Sequence, residues 1–292
     1  MAHSDFDSLC YLLKELDDPR NDIFLHIDKK SGIIDFEKIK GAVKKSGLYF
    51  VPRMKVFWGT ISQVKCELRL LKASVINNYH YYHLISGSDF PIKSQDYIHK
   101  LLENDERNYL SYFLSGDDEK GFLYKLKIYY PLLAFVGKGN FSGNSFQDRL
   151  GRKLGNWQLS LNRLQEQLGV DRTRKYKDIV FYKGDQWFTI THDFALFVLK
   201  HKRQIIRMYS FTNGPDEIFM QTLALNSEFA NKVVNNSMRQ IDWLRGDPYE
   251  YKLSDLDELM KSDKLFARKI YYSKEPELVN AISEYIQING SK

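Results

Sequence analysis

The sequence contains only two cysteines, Cys10 and Cys66, among its 292 residues. They lie far apart and in no paired pattern, so neither a disulfide scaffold nor a cysteine zinc site is indicated. This scarcity is typical of a reducing cytoplasm, which is the location that we predict. The chain also lacks a run of 18 apolar residues, and its first residues lack the basic and apolar segments of a secretory signal. We therefore expect neither a membrane span nor a leader.

Charged and aromatic residues, by contrast, are abundant. The chain carries 43 Lys and Arg against 37 Asp and Glu, a net charge of +6, and 43% of its residues are hydrophobic. This composition excludes a disordered or collagen-like chain and is sufficient for the core of one large domain. The positive charge is compatible with nucleic acid or an anionic membrane as a partner. The many Tyr, Phe and Trp rings can stack on bases and sugars, although such rings more often pack in cores.

Helical and strand patterns alternate in the first 113 residues. Apolar residues at helical spacing predict a helix from Phe6 to Leu16, and the apolar run 23–27 predicts a buried strand that ends at Asp28. Further elements are predicted as strands at 48–51, 56–58, 81–85 and 109–113, helices at 36–45 and from Ser62, and a turn at 86–91. This alternation is typical of a largely parallel α/β sheet with crossover helices, which binds ligands at the carboxyl ends of its strands.

After residue 113 the pattern is less regular. Residues 115–155 show no clear periodicity, which indicates a long excursion that shapes a cleft. The glycines between Gly137 and Gly143 do not form a phosphate-binding loop, because no strand precedes them and their spacing is wrong. Later segments predict a strand at 179–182 and helices at 159–168, 192–201, from 214, 253–260 and 276–288. Because no linker or repeat interrupts the chain, we predict a single domain over residues 1–292.

Few residues suggest a metal site. His80 and His83 fall on opposite faces of a predicted strand, and no third ligand is apparent. Two Asp-x-Asp pairs begin predicted helices, where carboxylates interact favourably with the helix dipole: Asp5 with Asp7, and Asp255 with Asp257. Structural roles explain these residues more simply, so we expect no metal ion. A phosphorylated ligand would then need positive side chains to neutralise its charge.

Two short segments carry charges suited to such chemistry. Arg268 and Lys269 follow an apolar step, and a guanidinium beside an ammonium can bind phosphate oxygens. Glu217 stands in a Pro-Asp-Glu segment that begins a predicted helix, where the dipole favours the ionised carboxylate that a general base requires. Each segment also has a plainer interpretation: exposed basic residues in the first case, and an ordinary helix N-terminus in the second.

Seven segments, taken together and in order, resemble one family. They are Phe24–Ser31, Trp58–Gly59, His83–Ile92, Gly184–Phe188, Pro215–Glu217, Arg239–Trp243 and Leu265–Lys269. The pattern is similar to that of the core-2/I-branching β-1,6-N-acetylglucosaminyltransferase and peptide O-xylosyltransferase family (glycosyltransferase family 14). The resemblance implies a GT-A-type fold, with a Rossmann-like mixed sheet flanked by helices, and an inverting, metal-independent transfer from a UDP-sugar. It also implies a nucleotide-binding half, 1–113, and an acceptor and catalytic half, 114–292, with a C-terminal extension.

The same resemblance implies a role for each candidate residue. Glu217 would be the catalytic base, and Arg268 and Lys269 would neutralise the diphosphate in place of a metal ion. The positions that match the donor pockets are Asp28, Lys30 and Trp58 for the nucleotide, and Asp89, Gln186 and Trp187 for the sugar. Trp243 matches a position near the acceptor. The UDP-sugar is a substrate, and no cofactor is implied.

Two departures from the family pattern affect these expectations. In relatives an apolar strand precedes the first helix, whereas this chain begins at Met1, about where that strand would end. We expect the first strand to be missing or, as the favoured explanation, the start to be assigned too late. The vertebrate members have an N-terminal membrane anchor and disulfides, which this sequence lacks. It therefore looks like a bacterial cytoplasmic relative that acts on surface-polysaccharide precursors and contacts the inner membrane face peripherally.

The substrates and the reaction class leave alternatives open. The resemblance favours GlcNAc as the donor sugar, with xylose or another hexose as alternatives; Gln186 replaces the acidic residue of the xylosyl enzymes. The acceptor is a glycan or a lipid-linked saccharide. A second hypothesis is an inverting glycosidase, in which two carboxylates flank the glycosidic bond. A nucleic-acid-binding protein is disfavoured because the cations are spread along the chain. A catalytically silent sugar-binding relative is disfavoured because the Pro-Asp-Glu and Arg-Lys positions are intact.

Overall fold

The chain forms short strands and helices in close succession. The computed structural model describes residues 1–114, 121–137, 143 and 145–289. In these ranges the helices are α1 Phe6–Glu15, α2 Phe36–Lys40, α3 Ile61–Ser74, α4 Gln95–Leu102, α5 Tyr124–Lys127, α6 Leu133–Val136, α7 Phe146–Gln167, α8 His192–Lys200, α9 Lys202–Tyr209, α10 Phe219–Leu225, α11 Leu256–Lys261 and α12 Pro276–Asn289. The strands are β1 Asp22–Leu25, β2 Gly47–Phe50, β3 Tyr81–His83, β4 Asp89–Pro91, β5 Asn108–Leu110, β6 Phe113–Leu114, β7 Tyr182–Lys183, β8 Phe188–Thr191, β9 Val233–Asn235, β10 Arg239–Ile241 and β11 Phe266–Arg268. Most of the glycine-rich segment 137–143 lies outside the described residues.

The strands pair in both directions. β1 and β2 are parallel, as are β5 and β9, and β10 and β11. The order β3-β8-β5-β9 makes one four-stranded sheet, in which β8 runs antiparallel to both neighbours. β4 closes the sheet β10-β11-β4 in an antiparallel direction. Mixed sheets flanked by helices confirm the α/β class and fit a GT-A-type architecture, whereas the largely parallel order expected from the first 113 residues is wrong.

Local capping and apolar spacing explain α1 and α3, two helices of the N-terminal part that pack on the sheets. The side chain of Asp5 accepts a hydrogen bond from Ser8 N at 3.0 Å and so caps α1. Thr60 caps α3 by accepting from the Ser62 backbone, so this helix begins at Ile61, one residue before the predicted start. The apolar residues of these helices recur at three- and four-residue spacing and are buried: Leu9, Leu12 and Leu13 in α1, and Val64, Leu68 and Leu71 in α3.

Some predicted elements have different bounds. Residues 56–58 form no strand, because the backbone N–H groups of Val56 and Phe57 bond to the side chains of Asp28 and Ser62 instead of to a second strand. The predicted turn at 86–91 contains β4, and the predicted strand at 179–182 is reduced to β7. The helix predicted at 159–168 is the last part of the much longer α7. The helix predicted from residue 214 begins at Phe219, after a separate 3-10 turn.

Two hydrophobic clusters form most of the described core. The first joins α1, β1, β4, β11 and α12, and the second surrounds α3, β8, α8 and α10. Strands that precede and follow residue 113 are neighbours in the same sheets: β4 pairs with β11, and β5 pairs with β8 and β9. The candidate residues on β4, β11 and the segment before β8 are therefore held by a common framework.

The first two residues form an extended segment between two loops. Ala2 pairs with Ile27 in a parallel bridge, and its carbonyl oxygen accepts from Asp28 N at 2.9 Å. On the other side, the Met1 amine donates to Ile85 O and the Met1 carbonyl accepts from Gly87 N. Met1 and Ala2 therefore connect residues 26–28 with the loop 85–87. A cavity of about 660 Å³, lined by residues of β1, β3, α1 and α3, lies beside Met1.

Candidate active site

The Pro-Asp-Glu segment forms a 3-10 turn, Pro215–Glu217. Gly214 begins it with φ 66°, a conformation that glycine adopts without a steric cost. Gly214 N donates to Gly59 O at 2.8 Å. The loop after Trp58 therefore lies against the turn that carries Glu217.

The carboxylate of Glu217 lies between two ammonium groups. Its Oε2 is 3.3 Å from Nζ of Lys183 and 3.8 Å from Nζ of Lys125. The Glu217 side chain is 37% exposed, whereas each lysine is about one fifth exposed. The carboxylate can thus be reached by a ligand while two cations hold its position.

Asp216, by contrast, is buried and has a structural partner. Its Oδ2 accepts from the Gln63 amide at 2.8 Å, and Gln63 in turn accepts from Gly59 N. Burial first, and then repulsion by Glu217, raises the pKa of Asp216 to about 7. Through Gln63, α3 therefore fixes both the turn 215–217 and the loop after Trp58.

A second buried carboxyl group, that of Glu67, lies on α3. Glu67 is fully buried, and its Oε1 accepts from the Gln186 amide at 2.7 Å. Burial, together with repulsion by Asp216, raises the pKa of Glu67 well above its usual range. Its other oxygen, Oε2, has no hydrogen-bond partner among the described residues. Glu67 thus holds the side chain of one of the predicted donor-sugar residues.

The segment Gly184–Trp187 connects the Glu217 turn with Arg268. At one end, Gly184 N donates to Glu217 O at 2.8 Å. Only glycine fits there, because a Cβ would overlap the carbonyl oxygen of Ser111. At the other end, the Trp187 ring is 6% exposed and faces the guanidinium of Arg268, 4.4 Å from its centroid. Since the backbone from residue 184 to 187 spans at most about 11 Å, both groups border one small region.

Arg268 is held by the register of two strands. β4 and β11 are antiparallel and place Asp89 opposite Arg268, and Nη1 of Arg268 donates to Oδ1 of Asp89 at 3.0 Å. The hydroxyl groups of Ser86 and Ser88 accept from the same nitrogen. Asp89 is buried beneath the 17%-exposed arginine. The guanidinium is thus fixed on three sides before any ligand binds.

Lys269 continues the chain from this strand. Its side chain is partly exposed, its N–H donates to Tyr249 O at 3.1 Å, and its carbonyl accepts from Tyr251 N at 2.9 Å. These two backbone bonds tie the end of β11 to residues 249–251. The cationic pair predicted from the sequence is therefore built on a strand end with a defined backbone path.

The predicted nucleotide residues lie one short segment away from Arg268. Asp28 is buried, accepts from Lys30 N at 2.9 Å and lies 3.5 Å from the Lys30 ammonium. That ammonium lies 4.8 Å from the centre of the Phe57 ring. Met1 and Ala2 bond to Asp28 on one side and to the loop 85–87 on the other. The two predicted sites are therefore neighbours, although they are far apart in sequence.

Two predicted ligand-binding tryptophans are exposed. Trp58 is 50% exposed at the loop that contacts the Glu217 turn, and Trp243 is 58% exposed. Trp243 lies two residues beyond Ile241, the strand partner of Arg268. Its loop is fixed by Arg245, whose guanidinium bonds to carboxylates of Asp242, Asp255 and Glu258. Both rings are thus accessible for stacking on a ligand.

The residues considered as metal ligands have other partners. His83 is half-buried beside the Thr189 hydroxyl, and desolvation lowers its pKa to about 3, while His80 bonds to the Asp105 carbonyl. Asp5 caps α1 and Asp255 pairs with Arg245. Among the described residues, no three His, Cys, Asp or Glu side chains are grouped as a metal site would require. In the same part of the chain, we find no helix with the length and apolarity needed to cross a membrane.

The structure also reveals residues that sequence patterns did not indicate. Lys125 and Lys183 contact Glu217, and Gln63 and Glu67 support the turn and Gln186 from α3. Lys183 directly precedes the Gly-Asp-Gln-Trp segment, and this adjacency could have pointed to it. The other three lie in segments with no motif, so only the folded chain brings them to the site.

Most of the chain is similar in sequence to known proteins. A model of the family described as core-2/I-branching enzyme matches residues 1–261, which include Glu217 but end before Arg268. Xylosyltransferase 2 of Rattus norvegicus is 22% identical over 94% of this chain and 32% of its own length. Xylosyltransferase 1 of Homo sapiens is 21% identical over 91% and 27%, and the xylosyltransferase of Ciona intestinalis 23% over 88% and 30%. The chain thus spans about a third of the length of these curated relatives.

Proposed function

Because this chain belongs to the core-2/I-branching enzyme family, we propose that it is an inverting glycosyltransferase. It transfers a sugar from a UDP-sugar to a hydroxyl group of a glycan or lipid-linked acceptor and forms a β-glycoside. The observation that carries this proposal is the accessible carboxylate of Glu217, fixed between Lys183 and Lys125. The Gly184–Trp187 segment connects it directly to the Arg268 guanidinium.

Glu217 acts as the general base in this mechanism. It removes the proton of the acceptor hydroxyl as that oxygen attacks C1 of the sugar, opposite the bond to UDP. The C1–O bond to the diphosphate breaks as the new C1–O bond forms, so the configuration inverts. Lys183 and Lys125 keep the carboxylate in place, which favours the orientation needed for attack.

Arg268 and Lys269 stabilise the departing diphosphate. Negative charge grows on the leaving oxygen, so fixed cations there stabilise the transition state more than the ground state. Arg268 suits this role because Asp89 and Trp187 already hold it, and little reorganisation remains during the reaction. We propose that these cations act in place of a metal ion, and that transfer continues in the presence of EDTA.

The nucleotide and the sugar occupy the neighbouring residues. Asp28, Lys30 and Trp58 contact the uridine, and Gln186 and Trp187 line the donor-sugar side. Asp89, which is buried beneath Arg268, acts on this side by holding the guanidinium. The Gln186 amide donates to the buried Glu67, which fixes this side chain before a ligand binds. We propose GlcNAc as the sugar, and we keep xylose as the alternative because the similar curated proteins are xylosyltransferases.

The acceptor reaches the site past Trp243. Its exposed ring next to the Arg268 strand can stack on a saccharide. We propose a cytoplasmic enzyme in surface-polysaccharide synthesis, with peripheral contact at the inner membrane face that presents a lipid-linked acceptor.

The decisive experiment is a thermal-shift panel in EDTA with UDP, UDP-GlcNAc, UDP-xylose, UDP-galactose and, as a control, ADP-glucose. A ligand at about 100 times its Kd stabilises the fold by ~2.7 kcal/mol, which raises Tm by several degrees. We expect shifts with uridine nucleotides and the largest with UDP-GlcNAc. No shift with any uridine nucleotide, or release of sugar from an oligosaccharide without a UDP-sugar, would contradict the proposal.

A further inference from the structure

Helix α7 carries an exposed apolar stripe along its length. The helix has 22 residues, about 33 Å. At 100° per residue, six large apolar residues of α7 and its C-cap fall within about 60° of its circumference; they are Phe146, Leu150, Trp157, Leu161, Leu164 and Leu168. All six are exposed, from 37% for Leu161 to 79% for Phe146. We call these residues the α7 stripe.

The face by which α7 packs on the protein is polar. Gln158 and Gly151 are its buried residues. The Gln158 side-chain carbonyl accepts from Leu132 N at 2.9 Å, and the Gln165 amide bonds to both backbone groups of Tyr129. An ordinary surface helix turns its apolar side to the core and its polar side to water. In α7 the apolar stripe instead lies roughly 90–110° around the helix from the packed residues Gln158 and Gly151. The stripe is therefore exposed and available for a partner.

Basic residues border the stripe on one side. Lys153 and then Arg149 follow it around the helix, and the Lys153 ammonium lies 5.2 Å from the centre of the Trp157 ring. Arg163 and Arg152 come next, and the acidic residues Asp148 and Glu166 lie beyond them. Lysine and arginine beside Trp, Phe and Leu are what helices that lie in the membrane interface present to anionic lipid headgroups.

We propose that the α7 stripe docks on the surface of an anionic lipid bilayer. The apolar side chains enter the boundary between headgroups and acyl chains, and the bordering cations bind the headgroups. Charge complementarity favours this partner over a second copy of the chain, which would bring the same cations. This inference assigns residues to the membrane contact given under the proposed function. It rests on that function only for the choice of a membrane as the partner.

The position of α7 suits a membrane-bound acceptor. Its glutamines hold Tyr129 and Leu132, which follow α5. Lys125 on α5 contacts Glu217. Residues 125–132 therefore connect the helix that carries the stripe to the catalytic turn.

Sedimentation of the full-length protein with vesicles tests the docking. The vesicles contain phosphatidylcholine alone or mixed with phosphatidylglycerol, and no sugar nucleotide is added. We expect binding to the anionic vesicles that weakens with salt. Trp157→Gln combined with Leu161→Gln and Leu164→Gln should reduce it at least about tenfold, because the apolar area is lost. Leu159→Gln is the matched control, since Leu159 is 55% exposed on the opposite side of α7.

Two controls keep the outcomes distinct. The UDP-induced shift in Tm should be equal in the triple variant and the parent, which shows that the variant folds and that its site is intact. Equal vesicle binding by parent and triple variant, or an equal loss in Leu159→Gln, would overturn the docking proposal. A parent that is dimeric by light scattering and a triple variant that is monomeric would show that a second copy covers the stripe instead. None of these results depends on sugar transfer.

Discussion

The guanidinium carbon of Arg268 lies 4.4 Å from the centre of the Trp187 ring. The same guanidinium bonds to Asp89, its partner across β4 and β11. A cation held between a ring and a carboxylate is fixed in direction as well as in position. Such a cation can stabilise a diphosphate whose negative charge grows during the reaction.

Replacing Arg268 should therefore lower kcat more than it weakens UDP binding. We expect Arg268→Ala to reduce kcat/KM by about 10²- to 10³-fold in EDTA, and Arg268→Lys to lie between this variant and the parent because it keeps the charge but loses the planar fork. Initial rates with a UDP-sugar measure kcat and kcat/KM for both variants. Arg20→Ala, at an exposed surface ion pair, is the control and should be unaffected. Parent-like rates in Arg268→Ala, or a strict Mn²⁺ requirement, would contradict the assigned role.

Glu217→Gln removes the proton acceptor but keeps the shape of the side chain. We expect transfer to fall by at least about 10³-fold, while UDP still raises Tm as in the parent. The matched control is Glu37→Gln, an exposed carboxylate that pairs with Lys40 away from the site. If Glu217→Gln retained normal transfer, the base would have to be another group.

Lys183 and Lys125 should act through Glu217. Lys183→Ala removes the closer of the two ammonium groups, so the carboxylate loses its fixed position; we expect kcat to fall about tenfold with an unchanged UDP-induced shift in Tm. Lys183→Arg should restore part of the activity, which a loss of folding alone would not explain. The exposed Lys177→Ala serves as control. A loss of UDP binding in Lys183→Ala would instead place this lysine at the nucleotide.

The sequence pointed to several residues of the candidate site, but not to all of them and not to their contacts. Glu217, Gln186 and Arg268 stand in short motifs, and the structure joins them through the Gly184–Trp187 segment. The roles assigned to them remain predictions. Lys125 could not be recognised, because it lies in an aperiodic segment and meets Glu217 only after folding.

The fold was predicted in class but not in strand direction. Apolar runs such as 23–27 predict strands, yet nothing within one strand specifies the direction of its partner, and β8 pairs antiparallel on both edges. The expected strand at 56–58 failed for another reason. Val56 N lies 3.5 Å from Oδ1 of Asp28, and Phe57 N donates to Oγ of Ser62 at 2.7 Å, so side chains and not a neighbouring strand accept from this backbone. α7 was underestimated because Gly151 and Gly155 interrupt its pattern.

Asp216 should make stability depend on pH. Its folded pKa of about 7 lies above its usual 3.8, so the native state binds more protons than the unfolded state between about pH 4 and 7. The free energy of unfolding from this group therefore falls as pH rises through that range, by on the order of a few kcal/mol. Desolvation lowers the pKa of His26 to about 4 and that of His83 to about 3, and both groups act in the opposite direction.

The comparison that isolates Asp216 is with Asp216→Asn. We expect the variant to lose less stability than the parent between pH 5 and pH 8, because it has no carboxyl group to ionise, while the histidines act equally in both. Urea unfolding at the two pH values measures the difference. Identical pH dependence in the two proteins would show that Asp216 ionises normally in the native state.

Gly184 should tolerate no side chain. In Gly184→Ala the new Cβ would overlap the Ser111 carbonyl oxygen, so the segment that joins Glu217 to Arg268 must move. We therefore expect a loss of about 1–3 kcal/mol in the free energy of unfolding and a fall in kcat. Gly155→Ala is the opposite case. Its Cβ would meet only Val136 at 3.9 Å, and alanine is the better helix former by about 1 kcal/mol. Urea unfolding of both variants should therefore give changes of opposite sign. Equal effects would mean that the close approach of residues 111 and 184 does not constrain the site.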